Sequence, residues 1–549
     1  MKRIFLLLLV LSFMSKLGLS QAVITDTLPS TINSVYTLNS SKKYLLLGEC
    51  HVKTGGNIVI PAGTKIYGEK TSKGALIIER GGKINAIGTS TNPIIFTSWF
   101  APGNRHAGDW GGVVLLGKAT INTVDGSDTA AIEGFATSIY YGGHDDNDSS
   151  GVMQYVRIEY PGIALSPNNE INGLTFGGVG RKTVIDHIQV SYSGDDSYEW
   201  FGGTVNCKYL VAYNGIDDEF DTDNGFRGRC QHLLSIRHPN IADVSGSNGF
   251  ESDNNGAPNY NSPRTQAIFS NVTFIGPKQF DTSTVDANFK RGMHIRRYSL
   301  ESVYNTLFLG YPTGILFDGV GVALACQGDT IKFKSNIIAG SNLKNFDTAA
   351  MNSNGFNATN WALDASRLND TFQYNTGVGL TNAYGGYINN NWNPTMFFPI
   401  AGSPCLNSAR VTNVNSIDPF FDAVDYKGAF KNTNWCQGWT NFRPDTINYN
   451  IVGISQVSSM VPGEYKLEQN YPNPFNPTTK IRFDVPKNGL TKIAIYDMLG
   501  REVKTLLNEN VQAGSYEVEW NAMNYSSGVY FYKMTSGGFT SVKKMMLVK

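Results

Sequence analysis

Charge is scarce in this chain. Asp, Glu, Lys and Arg make up 16% of its 549 residues, against about 25% in an average domain. Acids and bases balance at 45 each, so no net field draws nucleic acid or an anionic membrane surface. The six cysteines include no C-x-x-C pair, which argues against a structural zinc. G-x-S-x-G, H-E-x-x-H and P-loop patterns are missing, leaving serine-hydrolase, zincin and nucleotide chemistry without support. Beyond the first residues no apolar run approaches the ~20 residues of a membrane span, so no transmembrane segment is expected in the mature chain. Long amphipathic helical patterns are also missing.

What the chain does contain is glycine, 58 residues of it, and a repeated short alternation closed by a Gly/Asn/Asp turn. VMQYVRIEY (Val152 to Tyr160), VIDHIQVSY (Val184 to Tyr192), VNCKYLVAY (Val205 to Tyr213) and VYNTLFLGY (Val303 to Tyr311) are four instances. DDSYEWFGG from Asp195 and DDEFDTDNG from Asp217 superimpose with an offset of 22. A period in the low twenties with strands of ~5 residues predicts a solenoid, most simply a parallel β-helix over residues 23–450. A β-sandwich array is the structural alternative.

Stacking turns sequence spacing into columns, because neighbouring coils lie ~4.8 Å apart. Tyr198, Phe220, Phe250, Phe289 and Phe317 align as an inward aromatic stack. Their neighbours Glu199, Asp221, Glu251, Lys290 and Asp318 align outward, with Phe201, Asp223 and Asp253 in a second column. Asp195, Asp196, Asp217, Asp218 and Glu219 fall at the preceding corner. By the same alignment Cys207 and Cys230 lie on adjacent coils and are expected to form a disulfide, and Cys405 with Cys436 to staple the end of the domain.

Carboxylates repeated every ~5 Å repel by roughly 1 kcal/mol per pair in water and ~3 at an effective dielectric of 20. Three arrangements offset this. Ca²⁺ is a candidate ligand of Glu199, Asp221, Asp223, Glu251 and Asp253, since it takes several carboxylate oxygens. Ion pairs to Lys290, Arg291, Arg296 or Arg297 are the second, and acids held protonated in a cleft the third. The loop Asp146 to Gly151 has partial calcium-loop spacing but lacks the distal glutamate of an EF-hand.

Two function classes follow. In the first, leaning away from enzyme, a surface protein is structural or binds glycans, with Trp200, Phe201 and Arg296 as ligand-binding residues and Trp110, Tyr192 and Tyr213 as further stacking candidates. In the alternative, a calcium-dependent polysaccharide lyase (or glycosidase) acts on acidic polysaccharides. There a cation neutralises the uronate carboxylate and Lys290, Arg291 or His294 serves as base or carboxylate clamp. No lyase or polygalacturonase motif set is matched in order.

The ends of the chain read as an address. Lys2-Arg3, the apolar run Ile4 to Met14 and the small residues around Ala22 predict a cleaved signal peptide over 1–22. At the other end, LEQNYPNPFNPTTKIRFDVP (Leu467 to Pro486), IAIYDMLGREVKTL and GSYEVEWNAMNYSSGVYFYKM show period-two alternation between turns. This segment resembles the C-terminal sorting domain of the bacterial type IX secretion system. The resemblance implies a small Ig-like β-sandwich over 466–549 after a linker at 451–465, and the secretion machinery as partner. It also implies export across the outer membrane of a Gram-negative bacterium to the cell surface or medium. Thr54 to Phe442, with GDWGGVVLLGKATIN, EINGLTFGGVG, DDSYEWFGGTVN and GSNGFESDNN, resembles an uncharacterised family of secreted right-handed β-helix proteins, which implies the fold and no activity.

Overall fold

The computed structural model describes residues 22 and 24–548 apart from 136, 167–168, 350–353, 388–389, 448, 450–453, 459–460, 512 and 524. The expected signal peptide lies outside the described residues except for Ala22. Between Asp26 and Phe372 the chain winds as a parallel β-helix. One face is an 11-stranded sheet that takes one strand from each coil. Its central members are Gly112–Leu116, Leu174–Val179, Tyr198–Gly203, Phe220–Asp223, Ser247–Ser252, Phe289–Ile295 and Thr313–Phe317, each parallel to the next.

The other faces belong to a 17-stranded sheet. In the first coils they are separate strands, such as Asn57–Pro61 and Lys65–Gly68. In Gly151–Glu159, Val184–Ser191, Asn206–Tyr213, Arg229–Ile236 and Ile268–Ile275 the two fuse into one long strand bent at a single residue, before separating again as Ser302–Tyr304 and Leu307–Leu309. The register runs Gln154 opposite Asp186 and Val156 opposite Ile188, stepping over Tyr155 and His187. Tyr155, His187, Tyr209, His232 and Asn271 all hold left-handed φ between 51 and 63° at this bend. Such a conformation costs a non-glycine residue roughly 1–2 kcal/mol, so the bend needs support from outside.

Part of that support is ring stacking along the bend. Tyr155 lies 4.3 Å from His187, His187 4.4 Å from Tyr209, and Tyr209 5.1 Å from His232. The rest comes from a segment that sequence periodicity did not separate from the coils. Residues 375–449 add no coil; they pass back outside the helix in short 3₁₀ turns. Asn305 Nδ2 donates to Thr412 O at 2.8 Å, and Asn271 Nδ2 to Tyr426 O and Gly428 O at 3.0 and 3.2 Å. Gln231 donates to Asp422 O and Gln189 to Asn441 O. Trp435 and Trp439 meet His187 edge-on. The strap ends at Tyr449, whose hydroxyl donates to buried Glu159 at 2.7 Å. Its aromatics Trp392, Phe397, Phe430 and Trp439 cover Val211, Leu234, Ile275 and Leu309, which the coils point outward.

Inside the coils the aromatic column forms as aligned for Tyr198, Phe220 and Phe250, all fully buried, with ring centroids 5.5 and 5.7 Å apart. It then departs from expectation. Phe289 pairs with Ser247, three residues ahead of Phe250, and a bulge between Ser247 and Asn248 adds one more, so Met293 rather than Phe289 stands opposite Phe250 and His294 rather than Lys290 opposite Glu251. Cys207 stands opposite Cys230 as the spacing implies. Both are nevertheless free thiols, as are Cys405 and Cys436, so the expected disulfides are not formed.

The C-terminal unit is two four-stranded antiparallel sheets. Thr478–Val485 alternates buried Thr479, Ile481, Phe483 and Val485 with more exposed neighbours, and the core closes on Trp520, Tyr532 and Met545. Ile454–Ser458, expected as linker, pairs instead with Gly514–Asn521. No helix among the described residues is long and apolar enough to cross a membrane.

The bend gives a paired test. Asn271→Gly keeps the left-handed backbone but loses the amide bonds to the strap; Asn271→Ala loses both. Denaturant melts should show both variants destabilised, with Ala worse than Gly by about 1 kcal/mol, and both should cleave sooner within 405–449 under limited proteolysis.

Candidate functional site

The outward column of the 11-stranded sheet runs through Ile77, Val114, Thr175, Glu199, Asp221, Glu251, His294 and Leu316. Its early members are apolar because a long insertion covers them. Ile132, Ile139 and Tyr141 pack on Ile77, Val114 and Phe201. Where the cover stops, the column turns acidic. Glu133, at the rim of the insertion, lies beside Glu199, whose pKa is raised first by burial and then by the Glu133 charge.

The acids divide into two sets by their partners. Glu219 is fully buried and paired with equally buried Arg237 at 2.8 Å. Asp253 accepts from Arg296 at 2.9 Å and from Arg297 at 2.8 Å. Glu251 contacts Arg296. His294 is held between Glu251 at 3.4 Å and Asp318 at 3.1 Å. Burial opposes ionisation of Glu251, but the His294 hydrogen bond and the Arg296 charge override it, so its pKa falls below the ordinary value. Asp253 stays raised by burial even with its arginines.

Asp195, Asp196, Glu199, Asp217 and Asp221 form the second set, and among the described residues none of them has a cationic partner within ion-pair distance. The carboxylates of Asp196, Glu199 and Asp221 lie within 4.8 Å of one another, as do those of Asp195, Asp196 and Asp217. Asp196 therefore belongs to both triads. Asp196 accepts from Asp218 N at 2.7 Å, Glu199 from Asn172 Nδ2, and Asp217 from Ser245 Oγ at 3.0 Å. Asp221 Oδ1 and Asp217 Oδ1 are buried with no partner. Burial first, and neighbouring carboxylates second, push Asp195, Asp196, Glu199 and Asp221 well above the ordinary carboxylate range. The same causes take Asp217 to about 8. Asp223, next to the row, rises to about 7, mainly through burial and Asp253.

Of the metal ligands read from the sequence, Glu199 and Asp221 thus stand together without a cation, Glu251 and Asp253 are claimed by arginines and His294, and Asp223 adjoins them. The all-oxygen set suits a hard divalent cation such as Ca²⁺ rather than a thiolate- or imidazole-seeking metal. Asp195, Asp196 and Asp217 complete it; the sequence placed them at the corner without marking them as ligands. Glu133 and Asn172 carried no sequence signal, because insertions have no register.

Several candidates are corrected. Trp200 is fully buried between Phe176 and Phe226, and Phe201 is capped by Tyr141 at 6.0 Å. Trp110 and Tyr213 are likewise core, so these rings are not a stacking face. Strand alternation explains it: Trp200 points inward, and Phe201 outward but under the insertion. Lys290 lies off the acid column, its Nζ donating to Ala287 O at 3.0 Å and its stem against Gly246. Arg296 is spent on Glu251 and Asp253. Arg291, half-buried and opposite Asn248, makes no ion pair among the described residues and lies near Glu251 and Asp318. Asp146 pairs with Arg227 and Arg181 and accepts from Thr120 N, so the partial calcium loop is a cross-linked turn.

Residues 30–392 match the family model described as a pectate-lyase-like β-helix domain. The chain belongs to that family. Residues 469–549 match a secretion system C-terminal sorting domain, which marks a protein secreted across the outer membrane to the cell surface or beyond. No curated protein matches. Among solved structures, the Dettilon tailspike protein is 12% identical at a TM-score of 0.17. The match spans 58% of this chain and 60% of that one.

Arg237 tests the division of the acids. Arg237→Met leaves Glu219 buried without its cation and should cost about 3–5 kcal/mol, read by denaturant unfolding. The double variant with Glu219→Gln should recover most of that loss.

Proposed function

We propose that this β-helix protein is displayed at or released from the cell surface, where it holds Ca²⁺ in the acid row and binds acidic polysaccharide alongside. The observation that carries the reading is Asp221: its Oδ1 is buried and unpartnered, and its carboxylate lies within 4.8 Å of those of Glu199 and Asp196. A buried acceptor with no donor costs about 1–3 kcal/mol, and a hard cation satisfies it together with its neighbours. A weakly bound ion suffices where calcium is millimolar. A uronate carboxylate completes the coordination of such an ion.

A lyase reading has one observation in its favour. Arg291 is a guanidinium near Glu251, Asp318 and Asp218 that makes no ion pair with any of them among the described residues. Lys290 and His294 are both engaged, so Arg291 is the residue a lyase would use as base or clamp.

The raised pKa values set the pH dependence. Acids whose folded pKa exceeds the unfolded value favour the protonated fold, so without calcium stability should fall as pH rises from about 4.5 through 8. Calcium competes with those protons. Its affinity should therefore rise over the same interval, and titration calorimetry in two buffers should show protons released. At a hundredfold excess over Kd, calcium should add about 2.7 kcal/mol of stability. Asp221→Asn should abolish that gain while raising metal-free stability at pH 8. An unchanged calcium response in Asp221→Asn would sink the proposal. Unsaturated-product absorbance on polygalacturonate, lost in Arg291→Ala, would instead establish the lyase.

A further inference from the structure

Beyond the acid row lies a cation of the opposite kind. Arg264 is half-buried, has no carboxylate partner among the described residues, and its Nε is a buried donor with nothing to donate to. Its Nη2 donates to Tyr298 O, and its guanidinium carbon sits 5.2 Å over the ring of Tyr260. Tyr260 is 59% exposed and meets Tyr298 edge-on at 4.3 Å.

The loop that raises Tyr260 is fixed rather than slack. Asn122 Nδ2 donates to Asn254 O and Asn261 O, Asn255 Nδ2 donates to Asn122 Oδ1, and Asn261 Nδ2 donates to Thr123 O. Behind it, Arg297 and Tyr298 are consecutive non-glycine residues at φ 45 and 68°. Each costs roughly 1–2 kcal/mol, and strain of this kind concentrates at binding sites. The ring of Tyr298 leaves no room for a side chain at residue 321, which is glycine. Arg297 joins this cluster to the acid row through Asp253 at 2.8 Å.

We infer that Tyr260, Tyr298 and Arg264 form an anionic-sugar subsite, in which Tyr260 stacks on a sugar ring and Arg264 pairs its carboxylate or sulfate. A guanidinium without a counter-ion matches an anionic group in fork geometry, and an exposed tyrosine beside it supplies an apolar face with a polar edge. The subsite deepens the proposed function and rests on its acidic-polysaccharide reading. A chain lying along the sheet face would place one anionic sugar at the acid row and another here.

The test uses the mature chain with oligogalacturonate and, separately, a sulfated galactan, each titrated with saturating calcium and with EDTA. Arg264→Gln and Tyr260→Ala should each weaken the glycan that binds by about tenfold, which corresponds to about 1.4 kcal/mol. Tyr260→Phe should bind as wild type, and calcium affinity without glycan should be unchanged in all three. Whichever glycan shows the Arg264 dependence identifies the anion as carboxylate or sulfate. Glycan binding that survives EDTA yet falls in Arg264→Gln would uphold the subsite and overturn the calcium-bridged reading. Wild-type affinity in both Arg264→Gln and Tyr260→Ala would overturn the subsite alone. No binding of either glycan by the wild type would overturn both. Unaltered thermal melts show that each variant has folded.

Discussion

Parallel register is the constraint on which the rest of this molecule depends. Once a residue pairs with its counterpart one coil away, its whole column repeats at the interstrand spacing, and the column's chemistry is multiplied. For Tyr198, Phe220 and Phe250 the multiplication is favourable, since each ring buries against the next. For Glu199, Asp221 and Glu251 it is unfavourable, because the same spacing stacks like charges. That run ends at Phe289–Ile295, which carries no acid, and the bulge at Ser247 and Asn248 sets which residue faces Glu251. By shifting the register it brings His294 beside Glu251, with Arg296 and Arg297 close behind.

The cations are therefore not spread along the face. They gather at Glu251 and Asp253 and, separately, at the buried Glu219 and Arg237 pair. Asp195, Asp196, Glu199, Asp217 and Asp221 are left to share protons or a metal. Coulomb repulsion alone would not raise their pKa values so far. The insertion that carries Ile132, Ile139 and Tyr141 also excludes water from one side of the row, and burial is the largest cause at every one of these acids. Cover and charge act together: an open face would leave ordinary solvated carboxylates.

The sequence made the coil legible where repeats are near in the chain and uniform in length. The 22-residue offset aligned Glu199 with Asp221 and Tyr198 with Phe220 correctly, and the structure pairs them so. The alignment failed at Lys290, because the turn between Ser252 and Phe289 is long and the bulge adds a residue, and neither leaves a periodic trace. Trp200, two residues after inward Tyr198, shares its side and is core, whereas Phe201 was misjudged for a related reason. Alternation gives the side a residue faces, but not whether an insertion 60 residues earlier covers that side. The strap was illegible altogether. Its contacts are side-chain amides of Gln189, Gln231, Asn271 and Asn305 reaching carbonyls up to 252 residues away, and no local pattern encodes such a partner. The left-handed corners beneath it were equally hidden, since Tyr155 and Tyr209 are not residues that announce positive φ.

These two levels of encoding have different consequences for the site. The unpaired triads are built from consecutive coils and their adjoining corners, so they can assemble once those coils have stacked. The corner ladder cannot, because it is closed by Trp435, Trp439 and Tyr449, and the last of these bonds to Glu159 across 290 residues of chain. Contacts of such separation form late and slowly. The left-handed strain at Tyr155, His187 and Tyr209 is thus borne by stacking alone until the strap arrives. Because the acid row lies on the other sheet, losing the strap should strip Val211, Leu234 and Leu309 of their cover before it disturbs a carboxylate. Stability and site geometry are separable in this fold, which is why a solenoid can change its outward columns without rebuilding its core.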